Sequence, residues 1–213
     1  MIRVDGYKGI SKPNTYCGVI GNCRVPDFFE PPPFVDSRGL CTPVENQNDK
    51  PYCVAYTLAG YVEARDWQKA HRYTQVDPAP RYKEAKRIDG DDEAGTYLSS
   101  IYQAGKLHGD FDHTSNIQIL NSLNDVKYAL HSNAVCFLCF RITDGWYHPN
   151  KVTGFVSDGS NTIGGHCVLG CWYATGQGVG FQNSWGLDWG VNGFGRLTEK
   201  QFAETFMEGM IVI

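Results

Sequence analysis

The chain has 213 residues and a formal net charge of −4, enough length for one large domain or two lobes around a shared cleft. Its ordinary globular composition excludes disordered and fibrous classes, and an acidic balance without a basic run argues against a nucleic-acid partner. No apolar run approaches membrane-spanning length, and residues 1–6 lack the apolar core of a signal peptide, so the expectation is a cytoplasmic protein with no membrane partner.

Residues 1–34 show no clear period and read as an irregular arm. Lys12-Pro13-Asn14, Gly18 and Gly21-Asn22 punctuate it, and Pro31-Pro32-Pro33 forms a stiff spacer at its end. The arm carries Tyr7, Ile10, Phe28, Phe29 and Phe34, too apolar to stay solvated, so it is expected to dock. Burial of that many aromatics favours a site outside the lobes over entry into a cleft as a minimal propeptide.

Asn48, Asp49 and Pro51 form turns and not helix. From Val54 onward the spacing of Ala55, Leu58, Ala59 and Val62 predicts a helix over 53–71 with one apolar face. Pro78 and Pro80 break the pattern, and residues 81–87 read as a short helix. A loop at 89–95 follows. Thr96 is a good N-cap for a helix carrying Ile101, Ala104 and Leu107, with Gly109 as its stop. Ser122 caps a short helix through Leu130. Residues 134–142 read as a buried strand, and 166–175 and 179–184 as two strands joined by a tight turn at Gly176-Gln177-Gly178. Residues 193–197 and 210–213 are short strands with a helix around 200–206 between them. Helices first and strands later predict an α+β fold of two lobes.

Of eight cysteines, Cys136, Cys139, Cys167 and Cys171 lie in apolar runs and read as core thiols. Cys136 and Cys139 have zinc-knuckle spacing, but a strand points their sulfurs to opposite faces, so no metal is expected. Cys17 and Cys23 either pair or stay reduced. Cys53 is different, because it sits where the predicted helix begins. Unpaired N–H groups and the helix dipole favour an anion there, and the thiolate is the nucleophilic form of cysteine.

A catalytic thiol needs a base, a group that orients the base, and donors for an oxyanion. His166 lies between flexible glycines and an apolar run, at a strand start and hence at a lobe edge. Asn183 ends the next strand and can accept a hydrogen bond from the imidazole. Trp185 can cover that bond, or serve with Trp189 as a core aromatic.

These stretches resemble the papain-type cysteine peptidases. The matching residues are Val35-Asp36-Ser37-Arg38, Thr42-Pro43-Val44-Glu45-Asn46-Gln47, Cys53, His166 and Asn183-Ser184-Trp185-Gly186, with Trp189-Gly190 and Asn192-Gly193, in the family's order over 35–213. Asp89-Gly90 with Gly95-Thr96 resembles compact, prodomain-lacking members of microbes and their viruses. Lys50 and Val54 stand where the family has a cysteine and an aromatic.

The resemblance implies a papain-like catalytic domain over 35–213, with a helical lobe at about 35–115, an antiparallel β lobe at about 116–213 and the active site between them. It implies a cysteine endopeptidase acting on protein or peptide substrates without a cofactor. Cys53 is then the nucleophile, His166 its base, Asn183 the orienting group, and Gln47 with the Cys53 N–H the oxyanion hole. Cys53 and His166 are expected as a thiolate–imidazolium pair. Glu63 matches a glutamate that the family buries in its central helix, against the reading of an exposed helix residue. The Ala94-Gly95 backbone would pair with an extended substrate, and Tyr97 and Gly165 would border a side-chain pocket; Tyr97 also reads as helix packing. Asp91, Asp92 and Glu93 read either as a solvated acidic loop or as a preference for basic substrate residues. Two other readings stand beside the peptidase: a thiol acyl-transferase or deamidase on the same fold, and a silent binding module.

Overall fold

Helix α1 (Cys53–Ala70) is the axis of the molecule. Its apolar residues Cys53, Ala55, Leu58, Ala59 and Val62 are buried together, as their helical spacing requires. The structure is a computed structural model that describes residues 6–10 and 20–213. Two further helices pack on α1 to complete the first lobe, α2 (Pro78–Asp89) and α3 (Leu98–Leu107). Pro78 and Pro80 do not break a helix, as expected from the sequence; they open one. Pro78 lies in the first turn of α2, where its missing N–H is no loss, and the Asp77 side chain caps the turn by accepting from the Ala79 N–H. The Thr96 cap also differs. The cap position of α3 is Tyr97, with no side-chain cap bond, and the buried Thr96 hydroxyl has no hydrogen-bond partner among the described residues.

The second lobe is an eight-stranded sheet of β1 (Ile20–Asn22), β2 (Phe34–Asp36), β3 (Ile117–Leu120), β4 (Cys136–Thr143), β5 (Thr162–Ala174), β6 (Gly178–Gln182), β7 (Phe194–Leu197) and β8 (Phe206–Val212). The strand order is β1-β3-β8-β4-β5-β6-β7, with β2 beside β5. Its long central strands pair antiparallel, with Cys139 opposite Cys167 and Phe140 opposite His166. Side chains alternate along β4. Phe137 and Cys139 face the core shared with α1, whereas Cys136, Leu138 and Phe140 face a second core under α4 (Leu123–Asn133) and α5 (Glu199–Thr205). Ser122 caps α4 as expected, accepting from the Asp125 N–H at 3.1 Å. The α+β fold of two lobes expected from the sequence is the observed one.

The arm divides between two places. Residues 20–22 add β1 to the sheet edge, and residues 34–36 add β2. Phe29 packs its ring edge against Tyr128. Phe28 stays 90 % exposed and Phe34 53 % exposed. This part lies outside, as the apolar content favoured, yet it leaves two of its largest side chains in solvent. Residues 6–10 instead lie between the lobes, with Gly6 against Cys53 of α1 and Tyr7 against Gly165 of β5, the cleft placement that the apolar content did not favour. The pairing of Cys17 with Cys23 weighed from the sequence falls on Cys17, outside the described residues.

Candidate active site

His166 and Asn183 bond directly, and Cys53 is brought beside them through the backbone of Cys167 where α1 meets the sheet. Cys53 is the first residue of α1 and is fully buried. Its sulfur lies against the backbone of Cys167, the residue after His166. His166 is not at a strand start. β5 begins at Thr162, so the imidazole projects from within the strand and is fully buried. Backbone pairing of Gly164 and Gly165 with β4 starts the strand ahead of His166, where the sequence predicted it to begin.

The hydrogen bonds decide the tautomer of His166. Its Nε2 lies 2.8 Å from Asn183 Oδ1, which also accepts from the Ser184 N–H at 2.9 Å. A backbone N–H can only donate, so the Asn183 atom there is an oxygen and His166 Nε2 carries the proton. Nδ1 is left as the lone-pair nitrogen, and it is buried with no hydrogen-bond partner among the described residues. Asn183 Nδ2 and Trp185 Nε1 are unpartnered too. Three such atoms around one imidazole mark a place where satisfaction has been given up locally. Trp185 lies 4.7 Å from the imidazole, centroid to centroid, and shields it.

Gln47 is fully buried. Its Nε2 donates to the Lys50 carbonyl at 2.9 Å, and its Oε1 accepts from Ser184 Oγ at 2.6 Å. The carbonyl of Lys50 accepts only, which fixes the amide's orientation. The Gln47 N–H donates to the Ser184 carbonyl at 2.8 Å and the Gly186 N–H to the Glu45 carbonyl at 3.0 Å. The loop before α1 is thereby stitched to the loop after β6. At Gly190, φ is +57° and a Cβ would fall 2.2 Å from the Phe194 carbonyl, so only glycine fits that turn.

Burial sets the protonation of the pair. It pushes the Cys53 thiol well up, with Cys167 adding to it, and backbone hydrogen bonds from Cys167, Val54 and Cys53 offset only part of this. Burial also pushes the His166 imidazole down from 6.5 to about 4, against the raising effect of Asn183. Both shifts favour the neutral forms in the covered state and oppose the ion pair expected from the sequence. The helix-start argument omitted what covers the sulfur.

The cover is the arm. A Cβ built on Gly6 would fall 2.5 Å from Cys53 Sγ. Four backbone hydrogen bonds hold residues 6–10: Thr96 N–H to Gly6 O at 3.1 Å, Lys8 N–H to Thr96 O at 3.1 Å, Leu98 N–H to Gly9 O at 3.0 Å and Ser99 N–H to Ile10 O at 2.8 Å. Tyr7 pairs with Thr96 as a parallel bridge and is buried, its carbonyl 3.0 Å from where a Gly165 Cβ would be. The backbone that pairs with an extended segment is thus that of Thr96. Gly95 donates its N–H to Tyr82 Oη at 3.1 Å, and Ala94 lines the groove beside Asp91. Tyr97 faces the arm, with the Lys8 ammonium 5.5 Å from its ring centre.

Glu63 is buried, as the resemblance implied. It accepts from the Val76 N–H at 2.7 Å and from Thr42 Oγ1 at 2.5 Å, tying both flanking loops to α1. Three contributors were not read from the sequence. Trp146 stands edge-on to His166 at 5.9 Å, Ser184 orients Gln47, and Gly6 covers Cys53. Ser184 lay inside the matched motif; Trp146 and Gly6 carried no local signal.

Two lobes meeting at a helix-start cysteine and a strand histidine define the papain-like cysteine protease fold. Solved structures with this fold align over 83 % to 99 % of the chain. Xylellain, a cysteine protease from Xylella fastidiosa, is 15 % identical over 99 % of this chain and 96 % of its own, with a TM-score of 0.76. Procathepsin B S9 from Trypanosoma congolense is 13 % identical over 98 % of this chain and 86 % of its own, at 0.71. Digestive procathepsin L 3 from the larval midgut of Tenebrio molitor is 17 % identical over 83 % of this chain and 68 % of its own, at 0.62. No family model matches the sequence, and no curated protein does.

Proposed function

We propose that the chain is a cysteine endopeptidase that cleaves peptide bonds through Cys53, His166 and Asn183. The observation that carries this reading is the His166 tautomer. With Nε2 held by Asn183 Oδ1 at 2.8 Å, Nδ1 is the basic nitrogen and is free to take a proton.

In the first step the Cys53 proton moves to His166 Nδ1 and Sγ attacks the peptide carbonyl carbon. The carbonyl π pair moves to oxygen, where the Cys53 N–H and Gln47 Nε2 stabilise it. Collapse breaks the C–N bond, and His166 returns its proton to the leaving amine. Water, deprotonated by His166, then adds to the thioester; the C–S bond breaks and Cys53 recovers the proton. Asn183 keeps the ring in one orientation throughout, the part a carboxylate plays in serine triads.

Residues 6–10 make the described state a resting one. Gly6 lies on the sulfur, so a substrate carbonyl reaches Sγ only after this segment leaves. Ordering one residue costs roughly 1–2 kcal/mol, about what one backbone hydrogen bond returns. The contacts of Tyr7 and Lys8 therefore decide whether the segment stays.

The test is peptide cleavage followed by mass spectrometry, with Cys53 labelling by a peptidyl epoxide. Cut peptides that vanish at least about 10⁴-fold in Cys53→Ala support the reading. A glutamine altered without a cut assigns the same thiol to acyl transfer or deamidation. Cleavage that persists in Cys53→Ala removes the proposal.

A further inference from the structure

Lys8 of the arm sits in a socket made for a cation. Its ammonium lies 2.6 Å from Asp91 Oδ1 and 3.2 Å from Glu93 Oε2, and its side chain is 9 % exposed. Tyr97 closes one side, with its ring centre 5.5 Å from the nitrogen. Asp91 has further ties besides Lys8. Lys86 of α2 holds the same Asp91 oxygen at 2.5 Å, and the Glu93 N–H donates to it at 3.2 Å. Lys86 also reaches Asp89 at 3.4 Å, whose side chain is fully buried. The two lysines hold the Asp91 carboxyl well below the usual carboxylate range, Lys8 most strongly.

Position gives the socket its meaning. Thr96 pairs through both its N–H and its carbonyl with the extended segment around Tyr7. Side chains of an extended segment alternate. Tyr7 turns towards Gly165 and Lys8 towards Asp91 and Glu93. An extended chain that replaced the arm on Thr96 in the same direction and register would bring a side chain to the same two carboxylates. Residues 89–93 hold four carboxylates, and Lys86 also pairs with two of them, Asp89 and Asp91. An open groove lined by Pro51, Lys86, Asp91, Glu93 and Ala94 runs alongside. Within the acidic stretch Asp91 is partly buried by its lysines, whereas Asp92 and Glu93 stay exposed.

We propose that Asp91, Glu93 and Tyr97 form the binding site for a lysine or arginine side chain of the substrate, and that Lys8 fills it in the resting state as an internal stand-in. Arm and basic substrate then compete for one socket. The proposal rests on the peptidase reading for the word substrate, but binding is measured without catalysis.

The probes are blocked hexapeptides in which one lysine, or one glutamine in its place, is moved along the chain. They are titrated calorimetrically into full-length Cys53→Ala protein that also carries Lys8→Glu, which vacates the socket and touches only the arm. At one position lysine is expected to bind about tenfold tighter than glutamine, the lower end for a charge-assisted hydrogen bond at a partly exposed site. Adding Asp91→Asn with Glu93→Gln is expected to abolish that ratio, and Asp92→Asn to leave it near its starting value. Equal binding of lysine and glutamine peptides at every position overturns the proposal, as does a lysine preference that survives Asp91→Asn with Glu93→Gln. If those substitutions unfold the chain, the Lys8→Glu protein decides alone through its lysine-to-glutamine ratio. The peptidase reading is judged separately: a lysine preference in binding with no cut peptide from the Lys8→Glu chain with Cys53 intact refutes the enzyme and keeps the socket.

Discussion

Replacing Gly6 by alanine probes the cover directly. The new methyl carbon would lie 2.5 Å from Cys53 Sγ and 3.1 Å from the carbonyl carbon and oxygen of Pro51. Ordinary contact lies at about 3.5–4.0 Å, so the shortfall against sulfur is roughly 1 Å. The segment has little room to slide, because Thr96 bonds it on either side, at Gly6 O and at Lys8 N, both at 3.1 Å. Overpacking of this kind costs about 1–3 kcal/mol. Applied to the covered state alone, that shifts the ratio of covered to open chains by roughly 5- to 150-fold. The assay is the second-order rate of Cys53 labelling by a peptidyl epoxide, read by mass spectrometry on the full-length chain. The rate is expected to rise by a factor in that range. Gly39→Ala, where a Cβ meets nothing within 4 Å, serves as the unchanged control. A Gly6→Ala rate equal to that of Gly39→Ala refutes the reasoning, because Sγ or Pro51 would then have yielded instead of the arm.

Three other outcomes follow from the same geometry. Burial lowers the His166 pKa to about 4 from 6.5, so the folded state binds fewer protons than the unfolded one between those values; its contribution is whole above about 6.5 and is lost as pH falls towards 4, by roughly 3 kcal/mol at the limit. Glu208, raised to about 7 mainly by burial, works in the opposite direction as pH climbs, so the comparison is Tm against pH for the unaltered chain and His166→Gln; an identical slope for both below 6.5 contradicts it. Glu63→Ala leaves the Val76 N–H and the Thr42 hydroxyl without their acceptor and is expected to lower stability by about 2–4 kcal/mol in urea unfolding, with an effect under 0.5 kcal/mol counting against it. Trp185→Ala uncovers the His166–Asn183 bond and is expected to lower kcat for peptide cleavage about tenfold with KM little changed; an unchanged kcat would show that the bond needs no shield.

The sequence alone determined what local chemistry decides. The spacing of Ala55, Leu58, Ala59 and Val62 places α1 and with it Cys53 at a helix start. Ser122 caps α4 through its own side chain, and the turn at Gly176-Gln177-Gly178 joins β5 to β6, because caps and tight turns are settled within a few residues. The motif around Asn183-Ser184-Trp185-Gly186 also marked His166 and Gln47 as candidates. Tertiary structure decided the rest. Thr96 has the side chain of a cap, yet its backbone pairs with a distant segment and Tyr97 takes the cap position. His166 looked like a strand-start residue until β4 paired with the glycines before it. Cys53 looked poised for ionisation, but Gly6 covers its sulfur, and the desolvation this helps to impose outweighs the helix start. Lys8 gave no sign of its partners, since an ion pair depends on what the chain brings within about 4 Å and not on neighbours in sequence.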